Sequence, residues 1–162
     1  RCWGIYDANF TPGQASRSLM AALADEMKAH GYNLEDYEIE GHPIRWFEAS
    51  GEFSVPGLIL AGDAAGVDAL FGEGIAPALG YGRIAARAIK AAFEKDDFSF
   101  SDYKKQVLSS EMGKSLRLRT LTARIFFGIR NAPIQHFIWT KLGAPTTFYV
   151  QNFLVYWANR QK

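Results

Sequence analysis

Val55–Ala92 reads VPGLILAGDAAGVDALFGEGIAPALGYGRIAARAIKAA, and it divides into a strand pattern, a Gly-rich turn and a helix pattern. Leu58-Ile59-Leu60-Ala61 is a short apolar run opened by the turn signal Pro56-Gly57. Such a run suits a strand buried on both faces, as in a parallel sheet. It ends in Gly62-Asp63. Ligands of open α/β sheets sit beyond the carboxyl ends of the strands, so a carboxylate placed there faces a crevice. Asp63 is therefore the first candidate functional residue.

Gly72-Glu73-Gly74 precedes Ile75, Leu79, Gly82, Ala86, Ile89 and Phe93, which recur at spacings of three and four. That is the period of one helix face, and it predicts a helix starting at Gly74 or Ile75. Its free N–H groups and positive dipole end suit an anionic or carbonyl-bearing ligand, and the glycines let a ligand approach the backbone. The many Ala and Gly residues of this helix predict close packing against a sheet. On spacing alone, an ordinary strand-to-helix turn with Asp63 as a helix cap explains the run equally well.

The run resembles the second FAD fingerprint of flavoproteins with the para-hydroxybenzoate hydroxylase fold, above all the geranylgeranyl reductase-like branch. There a strand ends in Gly-Asp-Ala-Ala-Gly and a Gly-Glu-Gly-Ile heads the next helix; the matching positions here are Gly62 to Gly66 and Gly72 to Ile75. The resemblance implies an α/β fold: the C-terminal part of a Rossmann-like FAD-binding domain, a piece of the substrate-domain sheet and a helical C-terminal cap. It implies that Asp63 accepts a hydrogen bond from the ribityl chain, within a cofactor-binding set of Gly62, Asp63, Ala64, Gly66, Gly72, Gly74 and Ile75. Backbone N–H groups around Gly74 and Ile75 would face the pyrimidine side of the isoalloxazine. Helix N-terminal amides suit the negative charge that gathers there on reduction. One departure is Ala69, in Val67-Asp68-Ala69-Leu70-Phe71, where the family usually has proline in a longer loop. That loop lines the flavin's reacting face in the family, which makes Leu70 and Phe71 substrate-side candidates.

Composition is that of a globular chain: 162 residues, 48% hydrophobic and 22% charged, enough for a core and unlike a disordered segment. The lone cysteine, Cys2, excludes an internal disulfide framework and fits a reducing, cytoplasmic location. Residues 1–100 carry 8 Lys+Arg against 15 Asp+Glu, a balance of −7, whereas residues 101–162 carry 10 against 2, a balance of +8. A basic, aromatic-rich segment can meet an acidic domain, an anionic membrane or nucleic acid. The acidic complement within the chain puts the first ahead, leaves peripheral membrane contact open and gives nucleic acid no support. No apolar run reaches the roughly 18 residues of a membrane-spanning helix.

Elsewhere, Arg1–Ala8 alternates as a strand with one buried face. Thr11, Pro12 and Gln14 form a capping-box pattern for a helix running toward His30, with Leu19, Leu23 and Met27 at spacing four and Gly31 as its stop. Tyr37-Glu38-Ile39-Glu40 alternates as a strand, and Ile44-Arg45-Trp46-Phe47 continues an extended path. By the resemblance this path places Arg45 and Trp46 near flavin or substrate. His42, between Gly41 and Pro43, reads as a polar loop residue, and His136 as part of the packing. Ser101 is a candidate cap for a helix holding Tyr103, Val107 and Leu108. Leu116–Arg130 reads as an amphipathic helix with a basic face, interrupted at Asn131-Ala132-Pro133. The expected organisation is residues 1–50 as the end of a substrate-binding region, 51–97 as the second FAD-contacting unit and 98–162 as a basic, aromatic-rich helical cap. Metal-ligand spacings are missing, as are Gly-x-Ser-x-Gly and the phosphate-loop motif.

The family's first fingerprint, the Gly-x-Gly-x-x-Gly that binds the ADP half of FAD, is also missing. Together with a first residue that is Arg1 rather than Met, this points to the C-terminal half of a longer protein, whose partner is an N-terminal half carrying that fingerprint. The expected activity is then FAD-dependent oxidoreduction, hydride passing from reduced flavin to an isoprenoid or similar apolar substrate, with NAD(P)H or another reductant as electron donor. An FAD-dependent aromatic or quinone monooxygenase is the alternative on the same fold. A cofactor-free scaffold or peripheral membrane-binding remnant is the alternative from another class.

Overall fold

The structure, a computed structural model, describes residues 4–6, 18–41, 43–129, 131–154 and 156. It divides into two compact units, Arg1–Pro43 and Ile44–Lys162. The described residues are mostly helical, with one small antiparallel strand pair.

In the first unit, helix α1 spans Leu19–Ala29. Leu23 and Met27 are buried and Leu19 is exposed, so the spacing-four pattern holds for its last two members only. Gly31, at φ +80°, ends the helix, and the N–H of Tyr32 returns to the Met27 carbonyl. A 3₁₀ turn follows at Leu34–Asp36. Residues 37–40 form no strand and are exposed. The strand expected at Arg1–Ala8 and the capping box at Thr11–Gln14 lie outside the described residues, except that residues 4–6 carry no strand.

In the second unit, β1 (Ser54–Val55) pairs antiparallel with β2 (Leu58–Ile59). Pro56 and Gly57 form the turn, with Gly57 at φ +80° folding the run back on the residues before it. Val55 and Leu58 are each 51% exposed. The two-sided burial expected for Leu58–Ala61 is therefore not present among the described residues, because no further strand flanks β2 there.

Helix α2 spans Ile75–Lys95, and Asp96 in the left-handed region closes it. The face marked by the Ile, Leu and Phe spacing is the one left open. Pro77, Gly80, Tyr81, Ala85, Ala88 and Ala92 are buried, while Ile75, Leu79 and Phe93 are 76%, 70% and 72% exposed. At Gly80 a Cβ would lie 3.2 Å from Met112 Cγ and closer still to its sulfur, so the missing side chain leaves room for Met112 of α4. Helices α3 (Tyr103–Ser109), α4 (Glu111–Gly128), α5 (Ala132–Lys141) and α6 (Gly143–Tyr149) follow, and a π-helical turn at Val150–Leu154 ends the described cap. Asp102, not Ser101, precedes α3 as its cap residue. Ser110 and Asn131 cap α4 and α5 by accepting from Gly113 N–H and Ile134 N–H. Phe47, Phe53, Tyr81, Tyr103 and Leu116 centre the core. No helix among the described residues is long and apolar enough to cross a membrane.

Candidate functional site

Two tyrosines from different helices hold the turn that carries Asp63. Tyr103 of α3 donates its hydroxyl proton to the Leu60 carbonyl at 2.9 Å, just before the turn. Tyr81 of α2 donates to the Gly66 carbonyl at 3.1 Å, just after it. Burial pushes both phenols above their ordinary range, and for Tyr81 the neighbouring Tyr103 pushes in the same direction while Arg45 opposes it. Both are neutral donors at physiological pH. Between them, Gly62–Ala64 makes one 3₁₀ turn.

Gly66 is required by a close backbone crossing. At φ +110°, a Cβ there would lie 2.7 Å from both Phe47 Cα and Trp46 O. In that space Trp46 and Val67 form an isolated parallel bridge; Phe47 N–H donates to Val67 O and Val67 N–H to Arg45 O, each at 2.9 Å. Thr120 of α4 donates to the Phe47 carbonyl at 3.1 Å. The structure thus brings Arg45, exposed, and Trp46, half-buried, alongside the Gly62–Val67 turn.

Asp63 lies at the mouth of this arrangement. A Cβ at Gly74 would approach Asp63 Oδ1 to 3.1 Å, so the carboxylate sits against the residue that leads into α2. Its side chain is exposed and takes no hydrogen bond from the described residues. Gly62 and Gly72 both have positive φ, +59° and +67°. Ala64 is exposed beside Asp63. Glu73, which the sequence reading left without a role, accepts from Ile75 N–H at 2.9 Å and Ala76 N–H at 3.2 Å. Of the two amides expected to face a ligand, Gly74 and Ile75, it occupies that of Ile75.

The loop after the turn is organised by a buried ion pair. Arg119 Nη1 of α4 donates to Asp68 Oδ2 at 2.8 Å, and both side chains are all but sealed from solvent. Asp68 Oδ1 accepts Leu70 N–H at 2.8 Å. Arg119 Nε also donates to the Leu154 carbonyl at 2.8 Å, which Ser115 Oγ donates to as well. Arg119 therefore leaves the basic face expected of α4, because Asp68 is the one place its charge is matched inside. Leu121 and Ile125 are exposed instead. Arg124, on the surface, pairs with Glu48 at 2.7 Å, a second link between the basic cap and the acidic part of the chain. Leu70 and Phe71 line an apolar cavity with α4, α5 and α6, and neither Arg45 nor Trp46 takes part in that lining.

Tyr81, Tyr103, Asp68 and Arg119 left no signal at motif level, since each acts through a tertiary partner, and Glu73 stood inside the Gly-Glu-Gly-Ile motif without its capping role being legible. No group of His, Cys, Asp and Glu able to hold a metal occurs among the described residues. His42 lies outside them, and His136 is exposed. What the arrangement offers chemically is an acceptor carboxylate beside a helix N-terminus, on a glycine turn, with no nucleophile–base pair beside it among the described residues. No protein-family model matches the chain, and comparisons with curated proteins and with solved structures give no match.

Proposed function

We propose that this chain supplies the flavin-end half of an FAD-dependent oxidoreductase resembling geranylgeranyl reductases, acting on an isoprenoid or similar apolar substrate. The observation that carries the reading is Asp63: an exposed carboxylate without a hydrogen-bond donor among the described residues, held against Gly74 at the head of α2. A carboxylate in that position is ready to accept from a sugar-type hydroxyl. Gly62, Gly72 and Gly74 keep the surrounding backbone bare and Ala64 adds little bulk, whereas Gly66 turns inward onto Phe47 and serves the turn rather than a ligand.

The fit to FAD is good at Asp63 and conditional at the helix. Ile75 N–H and Ala76 N–H serve a ligand once the Glu73 carboxylate swings off them, which is a side-chain rotation on an exposed residue. When bound, the flavin supplies the redox chemistry. This chain's residues do the rest: Asp63 orients the ribityl chain, the α2 amides bias the pyrimidine end toward negative charge, and Tyr81 and Tyr103 hold the turn still.

The N-terminal half is supported by the face α2 leaves open. Ile75, Leu79, Ile89 and Phe93 lie exposed along one side of α2, with Gly82 and Ala86 between them letting another backbone come close. A contiguous apolar stripe of this kind marks an interface. A sheet carrying the ADP-binding fingerprint is the occupant that the resemblance supplies.

The test is quenching of flavin fluorescence by the purified chain, alone and mixed with a separately expressed N-terminal partner half. Saturable binding only in the mixture, lost in Asp63→Ala, is the expected result. A folded Asp63→Ala variant that binds FAD as tightly as the unaltered chain would end the assignment of that residue, and no binding in either state would end the flavin reading.

A further inference from the structure

The Ile44–Lys162 unit holds a cavity of about 330 Å³ between the loop after Val67 and the helical cap. Its walls include Leu70 of the loop, Phe126 of α4, Ile138 of α5, Pro145 of α6, and Val150 and Leu154 of the π-helical turn. Small-molecule pockets run from about 300 to 1,000 Å³, whereas ordinary packing defects are seldom larger than a water molecule. Phe71 and Leu142, 39% and 40% exposed, mark where the lining reaches solvent.

Of the three hydroxyls on the wall, Thr122, Thr146 and Tyr149, two are tied to the chain itself. Thr122 Oγ1 donates to the Leu118 carbonyl at 2.9 Å and lies 3.1 Å from the Tyr149 hydroxyl. With the Thr122 proton committed, Tyr149 is the donor of that second bond, so neither proton is offered to an occupant. Arg119, behind Phe71 with its guanidinium 5.8 Å from the ring centroid, is committed to Asp68 and to the Leu154 carbonyl. Water needs two to four polar partners to stay in such a space, and a head group needs at least one. Thr146 alone does not meet the need of a water, and the rest of the lining is hydrocarbon.

The walls are also braced apart. Asp68 fixes the loop wall through Leu70 N–H, while Arg119 and Ser115 fix the opposite wall through the Leu154 carbonyl.

We infer that this cavity is a binding site for a neutral hydrocarbon chain, polyprenyl or alkyl, held by its apolar wall. The inference rests on the proposed function only for the idea that the chain is a substrate; binding itself needs no flavin, so its failure and that of the flavin titration are separable. The full chain is titrated with the neutral fluorophore N-phenyl-1-naphthylamine and the probe is then displaced with farnesol. Saturable binding of one probe per chain, displaced by farnesol, is expected. Thr146→Phe and Val150→Phe fill the space and should lower probe affinity by about tenfold or more with the helical circular dichroism intact. Phe126→Ala enlarges it and should shift preference toward the longer geranylgeraniol. Absence of saturable binding, binding unchanged in folded filler variants, or one probe shared between two copies overturns the inference. If both fillers fail to fold, the Phe126→Ala measurement decides, and an unshifted preference overturns it.

Discussion

Arg119 and Asp68, 51 residues apart in the chain, form an ion pair with Nη1 2.8 Å from Oδ2 and with 4% and 0% of their side chains exposed. The pair ties the loop that follows the glycine turn to the helical cap, and each partner makes a further hydrogen bond on its own side. Removing one partner leaves the other charged and buried. Arg119→Met should therefore lower stability by about 3–5 kcal/mol, and Asp68→Leu combined with Arg119→Met should recover most of that loss. Urea unfolding followed by far-ultraviolet circular dichroism reads both; an unchanged midpoint in Arg119→Met would show that the pair is not buried in solution.

The tyrosine anchors make stability depend on alkaline pH. Burial raises the Tyr81 and Tyr103 phenols, so the folded chain keeps protons that the unfolded chain releases above about pH 10. The folded state binds more protons there, and stability falls as pH rises. Tyr81→Phe should cost about 1–3 kcal/mol near neutrality, because the buried Gly66 carbonyl loses its donor, and should flatten the alkaline decline. Denaturation midpoints between about pH 8 and 11 test this, and parallel curves for the two proteins would refute it.

Two glycines with positive φ are expected to respond differently to alanine. Gly57→Ala meets open space, so its cost is that of the backbone conformation alone, about 1–3 kcal/mol. Gly66→Ala adds the overlap with Phe47 and Trp46 and should open the parallel bridge at Val67. Thermal melts rank the two, and protection of the Phe47 and Val67 amides from hydrogen exchange, lost in Gly66→Ala only, locates the damage.

The exposed stripe of α2 separates folding from association. Leu79→Glu should leave the stability of this chain within about 0.5 kcal/mol, since the side chain is 70% exposed. The same change should abolish co-purification with the N-terminal half. A large loss of stability in the isolated chain would mean that the stripe is covered in solution by the chain itself.

Glu73→Ala frees the Ile75 and Ala76 amides and removes a cap, with an expected cost of about 1 kcal/mol. In the flavin titration with the partner half present, affinity should rise, because the carboxylate no longer competes. A fall in affinity would instead make Glu73 a contributor to the cofactor site.

Local readings succeeded where the decisive force is local. The start of α2 at Ile75, the breaks at Gly31 and Asn131 and the bend at Pro56-Gly57 follow from backbone permissiveness and missing donors, which are properties of a residue and its neighbours. Asp63 at the end of an apolar run is equally local, whereas its place against Gly74 is a contact that folding makes. Side-chain partners were not legible. Asp68 reads as one more loop acid and Arg119 as one more cation on a basic helix, and nothing in their spacing says that each exists to neutralise the other.

Periodicity determined that α2 has two contrasting faces, one of Ile, Leu and Phe and one of Ala, Gly and Tyr, but not which of them this unit buries. Tertiary structure decided that, and against hydrophobicity: Met112 needs the room that Gly80 leaves, and Tyr81 needs to reach the Gly66 carbonyl, so the small-residue face turns inward. Sequence alone determined the helix, the turn and the carboxylate at its mouth, because each is a short-range consequence of backbone chemistry. The ion pair, the tyrosine anchors and the cavity were decided only in three dimensions, because burial sets the value of a charge or a hydroxyl, and burial is a property of the packed chain.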